Sequence, residues 1–214
     1  MTPQGNVLPS GHECGCMTGR TRADGGDEST LTTDRVTELA DAYSQQEPFD
    51  LVEREHTETL PPAFAAGDFG RRDAEWVVQW YYRRGPVADA ERRAAEERFL
   101  DNDYEAMVDA IRGAAAATAL DDRLDQLTAL TGVDIPVASA FLAYTHPDDC
   151  VALGEREWAA LREAGELDEP YPESVSDEDY DRYLDAVQAV AERTDHDLWT
   201  VYRALWRLGA GSSA

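Results

Sequence analysis

From Thr33 onward the apolar residues recur at three- and four-residue intervals, and the strict alternation of a half-buried strand is almost absent. Val36, Leu39, Ala40 and Tyr43 fall at i, i+3, i+4 and i+7, behind Thr32 or Thr33 as a cap. The rhythm returns in Tyr180, Tyr183, Leu184, Val187, Val190 and Ala191, and in Leu198, Val201, Tyr202, Leu205 and Leu208. A chain patterned this way buries stripes rather than sheet faces. The expected fold is all-α, a compact helical bundle of about nine or ten helices in one domain over residues 31–210.

Several element boundaries are also predicted. Phe49 to His56 begins a short helix that ends before Pro61-Pro62, because proline disfavours helix in the residue before it. Arg71 to Arg84 carries a heavy aromatic face of Trp76, Trp80 and Tyr81, with Val77 among them. Ala88 to Leu100 is charged on most sides and reads as a surface helix, while Tyr104, Met107, Val108 and Ile111 mark a buried stripe. Ser176 and Asp179 stand at capping-box spacing. Gly209 is expected to end the last helix.

Charge narrows the setting more than the partners. The formal net charge is −25 over 214 residues, and all 19 basic residues are Arg, with no Lys at any position. This composition resembles that of halophilic proteins working in molar salt, where the Debye length falls to about 3 Å and self-repulsion is screened. The same salt weakens the counterion-release gain of DNA binding, so acidity argues only weakly against nucleic acid. No apolar run approaches the roughly 18 residues of a membrane span, and the N-terminus lacks a basic-then-apolar signal, so a cytoplasmic protein is expected.

Residues 1–30 are rich in Gly, Thr, Ser and Asp and read as a disordered tail, with a second short tail at 211–214. Met17 is an alternative start. His12-x-Cys14-x-Cys16 resembles half a metal site, but no fourth ligand is evident and Cys150 is distant, so a plain tail with neither metal nor cofactor is expected. The three cysteines do not make a disulfide framework.

Residues 127–142 stand apart. Leu127 and Leu130 share a helical face, Gly132 can supply a left-handed turn, and Ala138, Phe141 and Leu142 give a small-then-large stripe for close packing. Leu130-Thr-Gly132-Val133-Asp134, followed by Val137-Ala-Ser-Ala140, resembles the hairpin of the helix-hairpin-helix DNA glycosylases, the endonuclease III-like superfamily. The resemblance covers roughly residues 120–165. It implies a glycosylase-like helical fold and a hairpin that offers backbone N–H groups to a duplex-DNA phosphate. Gly132, Val133, Asp134 and Val137 would then make the contact. Arg83 and Arg84, with Arg71 and Arg72, are the expected phosphate partners.

The departures bear on catalysis. Where bifunctional members carry the Schiff-base lysine this chain has Pro136, and no lysine elsewhere can replace it. The family's catalytic Asp falls at Gly154, leaving Glu155 or Asp149 to act on water in a monofunctional DNA N-glycosylase-like hydrolase. The cysteine cluster that holds iron–sulfur in some members is missing. Two functions stay open: a DNA-binding or DNA-repair-related protein without lyase activity, and a non-catalytic interaction or structural domain. Plain expectations stand beside them. His146-Pro-Asp-Asp149 reads as a turn, Trp158 as a core anchor, and Glu53, Glu55 and His56 as a solvated polar group.

Overall fold

A computed structural model describes residues 30–85 and 87–211. Within them lie α1 (Thr33–Gln46), α2 (Asp50–Ala66), α3 (Arg71–Arg84), α4 (Asp89–Leu100) and α5 (Tyr104–Ala116). The remaining helices are α6 (Leu120–Thr128), α7 (Ile135–Thr145), α8 (Glu155–Glu163), α9 (Asp177–Thr194) and α10 (Leu198–Gly211). There are ten helices and no strand among the described residues, as the periodicity requires. No helix is long and apolar enough to cross a membrane among them. His12, Cys14, Cys16 and Met17, with the tail before residue 30, lie outside the described residues, as do 212–214.

The bundle is built around α7. Every residue from Val137 to Thr145 is buried, so this helix is apolar on all sides rather than on one stripe. It touches α2, α3, α5, α6 and α9, while α10 closes the bundle against α1 and α8. Trp158 is fully buried under Tyr183, with which it stacks at 6.2 Å. Thr32 caps α1 by accepting the Arg35 N–H, and Ser176 with Asp179 forms the expected capping box on α9.

Two predicted boundaries are overturned. Helix α2 runs straight through Pro61 and Pro62 to Ala66. Each interior proline costs about 3 kcal/mol, and burial of Leu60 and Phe64, at about 1.5–3 kcal/mol each, offsets much of the cost of the pair. Helix α10 likewise continues past Gly209. A Cβ there would lie 2.6 Å from the Arg156 carbonyl oxygen, so this glycine lets α10 rest on the first turn of α8.

A third correction concerns charge. Glu53, expected in solvent, is 0% exposed and accepts from the Arg84 Nη1–H at 2.7 Å. The Trp80 Nε1–H also donates to it at 2.7 Å, and the Tyr43 hydroxyl lies 2.7 and 2.8 Å from its two oxygens. Arg84 donates from Nε to the Tyr202 hydroxyl at 3.0 Å and also bonds the Tyr43 hydroxyl. Its guanidinium carbon sits 5.0–5.4 Å from the ring centres of Tyr43, Trp80, Tyr202 and Trp206. A charge taken this deep persists only when paired and hydrogen-bonded. Arg84 is therefore a core residue, not a surface phosphate contact. Arg71 is also spoken for, donating to the Leu100 and Asn102 carbonyls at the end of α4.

Candidate functional site

Residues 129–134 turn α6 into α7. The Leu130 N–H bonds the Leu127 carbonyl at 3.1 Å and the Val133 N–H bonds the Leu130 carbonyl at 3.2 Å. The direction reverses at Gly132, whose φ of 78° few side chains tolerate. A Cβ at Gly132 would sit 3.1 Å from the Phe99 backbone nitrogen and 3.2 Å from the Arg98 Cβ, so the turn backs onto the end of α4. Asn102 fastens it there: its side-chain NH₂ donates to the Thr131 carbonyl and its oxygen accepts the Thr131 N–H, both at 2.8 Å.

The structure distributes the residues singled out here unevenly. Gly132 is half-buried, Val133 and Val137 are buried, and Asp134 is exposed. The Asp134 carboxylate is the N-cap of α7 and accepts the Val137 N–H at 3.1 Å. That places a negative charge on the positive end of the helix dipole. Arg98 and Arg83 supply exposed positive charge on α4 and α3. Burial first, and then Asp134, push the nearby Tyr82 phenol up, with Arg98 opposing.

A cavity of about 320 Å³ opens between the end of α3, the segment entering α8, and α10. Its walls include Tyr81, Arg84, Glu157, Tyr171 and Tyr202, with Glu91, Glu155 and Arg156 also lining it. Glu155, the first residue of α8, is exposed, whereas Glu157 is buried. Burial holds the Glu157 carboxyl above the ordinary carboxylate range, against the pull of Arg84 and of its own backbone N–H. Burial, then the Asp134 charge, also raises the Tyr171 phenol. Glycine at 154 makes room for this: a Cβ there would lie 2.4 Å from the Glu157 Oε2. The space where a side chain at 154 would begin is held by the Glu157 carboxylate.

Asp149 does not line this cavity; its carboxylate is 3.9 Å from Arg123. The segment around it is a turn, with the Asp149 and Cys150 N–H groups both bonded to the His146 carbonyl. The two candidate carboxylates, Glu155 and Asp149, therefore serve different places. Of the aromatic face on α3, Trp80 is core, while Trp76 and Tyr81 are half-buried. Glu157 and Tyr171 had no sequence signal: a Glu three residues into a helix reads as capping, and Tyr171 lies in a loop. No group of His, Cys, Asp and Glu able to hold a metal exists among the described residues.

What these features define is a class by architecture alone, an all-α bundle with a glycine-turned helix pair and an aromatic-walled cavity. No protein-family model, curated protein or solved structure matches this chain.

Proposed function

We propose that this is a DNA-binding or DNA-repair-related protein of the helix-hairpin-helix glycosylase type, meeting duplex DNA through residues 129–134. The observation that supports this is the left-handed Gly132 joining two short helices, with the exposed Arg98 beside it. Arg83 adds a second exposed cation on a helix packed against α7. With no lysine in the chain, Schiff-base strand cleavage by a lysine is ruled out chemically. Any base release would be hydrolytic, with Glu155 the candidate carboxylate at a cavity.

Fluorescence anisotropy of labelled duplex DNA, from moderate to molar KCl, tests this. The wild type binds, and Arg83→Glu/Arg98→Glu weakens binding about tenfold or more by replacing two cations with anions. A wild type that binds duplex DNA at no salt concentration ends the reading.

A second reading, a non-catalytic interaction or structural domain, is favoured by Asp134. Its carboxylate already occupies the α7 N-terminus, where a phosphate would be received. Asp134→Asn separates the two. Asparagine caps as well as aspartate, so removing the charge tightens DNA binding several-fold under the first reading. Under the second it changes nothing.

A further inference from the structure

We infer that the cavity between α3, α8 and α10 is a binding site for a small zwitterion, an amino-acid-like molecule bearing an ammonium and a carboxylate group. This goes beyond the DNA reading and does not rest on it. Two buried residues of opposite charge, Arg84 and Glu157, line this space and make no ion pair with each other. On one side is Arg84, its side chain 4% exposed, with Nε and Nη1 engaged and Nη2 buried without any hydrogen-bond partner. A buried N–H left without an acceptor is unfavourable. A ligand carboxylate oxygen is the acceptor it lacks.

On the other side is Glu157, 5% exposed, with no Arg or His nitrogen within 4.0 Å among the described residues. Arg156 also lines the space but lies over the Trp206 ring, at 4.3 Å, and makes no ion pair with Glu157. A buried carboxylate is stable only with a cation or donors close by, and its own helix N-terminus supplies part of that. A ligand ammonium would supply the rest. Tyr81, Tyr171 and Tyr202 line the same space, and their π-faces attract an organic cation.

Each simpler ligand fits less well. A plain anion would meet Arg156 but also three carboxylates, Glu91, Glu155 and Glu157, while Arg84 is already paired with Glu53. A plain cation would leave Nη2 unpaired. The volume of about 320 Å³ suits a small organic molecule rather than one water.

Calorimetric titration of the full chain in molar KCl tests the assignment. The zwitterionic probes are glycine, alanine, leucine and trimethylglycine; the half-probes are acetate and tetramethylammonium; adenine is the neutral planar ring. At least one zwitterion binds about tenfold more tightly than either half-probe, the gain from one added charge-assisted contact. Glu157→Gln, which keeps the side chain's size, removes about tenfold of that affinity without strengthening acetate. Glu75→Gln, outside the cavity, leaves it unchanged, and circular dichroism confirms that both variants are folded. The inference is overturned if no zwitterion binds at millimolar concentration, if acetate, tetramethylammonium or adenine binds as well as the best zwitterion, or if Glu157→Gln binds like wild type.

Discussion

Removing the positive half of the buried Glu53–Arg84 pair gives the sharpest test of how this core is held. In Arg84→Met the Glu53 carboxylate, 0% exposed, loses the donor at 2.7 Å and keeps only the neutral Trp80 N–H and Tyr43 hydroxyl. Breaking a buried pair from one side costs about 3–5 kcal/mol, because a charge is left uncompensated. For a domain of this size that lowers Tm by roughly 6–20 °C. Glu53→Gln strands the guanidinium instead and costs a similar amount. The double variant Glu53→Gln/Arg84→Met removes both charges of this pair, and its glutamine oxygen still accepts from Trp80. It should cost no more than the worse single variant, giving a coupling energy of about 3 kcal/mol. Chemical unfolding in molar KCl, followed by circular dichroism, measures all four proteins. Single variants that lose less than about 1 kcal/mol, or a double variant that loses the sum, would show that the two charges do not depend on each other.

Three further outcomes follow from specific contacts. Gly165→Ala carries only the strain of φ 75° in open space and costs about 1–2 kcal/mol, whereas Gly132→Ala adds contacts of 3.1 and 3.2 Å and costs about 1–3 kcal/mol more, read by the same unfolding assay. Glu157 has its pKa raised in the fold, so its contribution is fully present below the unfolded carboxylate range and is lost as pH rises through the folded value. The stability of wild type relative to Glu157→Gln should therefore decline over that interval; a difference that is flat with pH counts against the burial. With a net charge of −25, the unfolding midpoint should climb steeply from dilute buffer to molar KCl, and equal stability at both ends would remove self-repulsion from the account.

Local signals carried the helices far. The i, i+3, i+4 spacing, the Thr32 cap and the Ser176–Asp179 box each act within one or two turns, so sequence alone located α1, α3 and α9 closely. Local rules failed where distant packing outweighed them. Pro61-Pro62 should stop a helix, but Leu60 and Phe64 on either side are buried in the core. Gly209 should end one, yet it serves the approach of α8.

The candidate sites divide the same way. Gly132 was legible because a left-handed turn is a property of the residue itself. The Asp134 cap is local too, an aspartate three residues before the Val137 N–H that it accepts. Glu53 and Arg84 could not be placed from sequence, since they are 31 positions apart and their meeting depends on how α2 lies against α3. Glu157, Tyr81 and Tyr171 likewise share a cavity only after α8 and the loop beyond it have packed. Periodicity, capping and φ preference act over a turn or two, so an all-helical chain with a glycine turn at 132 follows from the residues themselves. Which charges are buried and which residues line one cavity follows from packing, because burial and pairing join residues far apart in the chain.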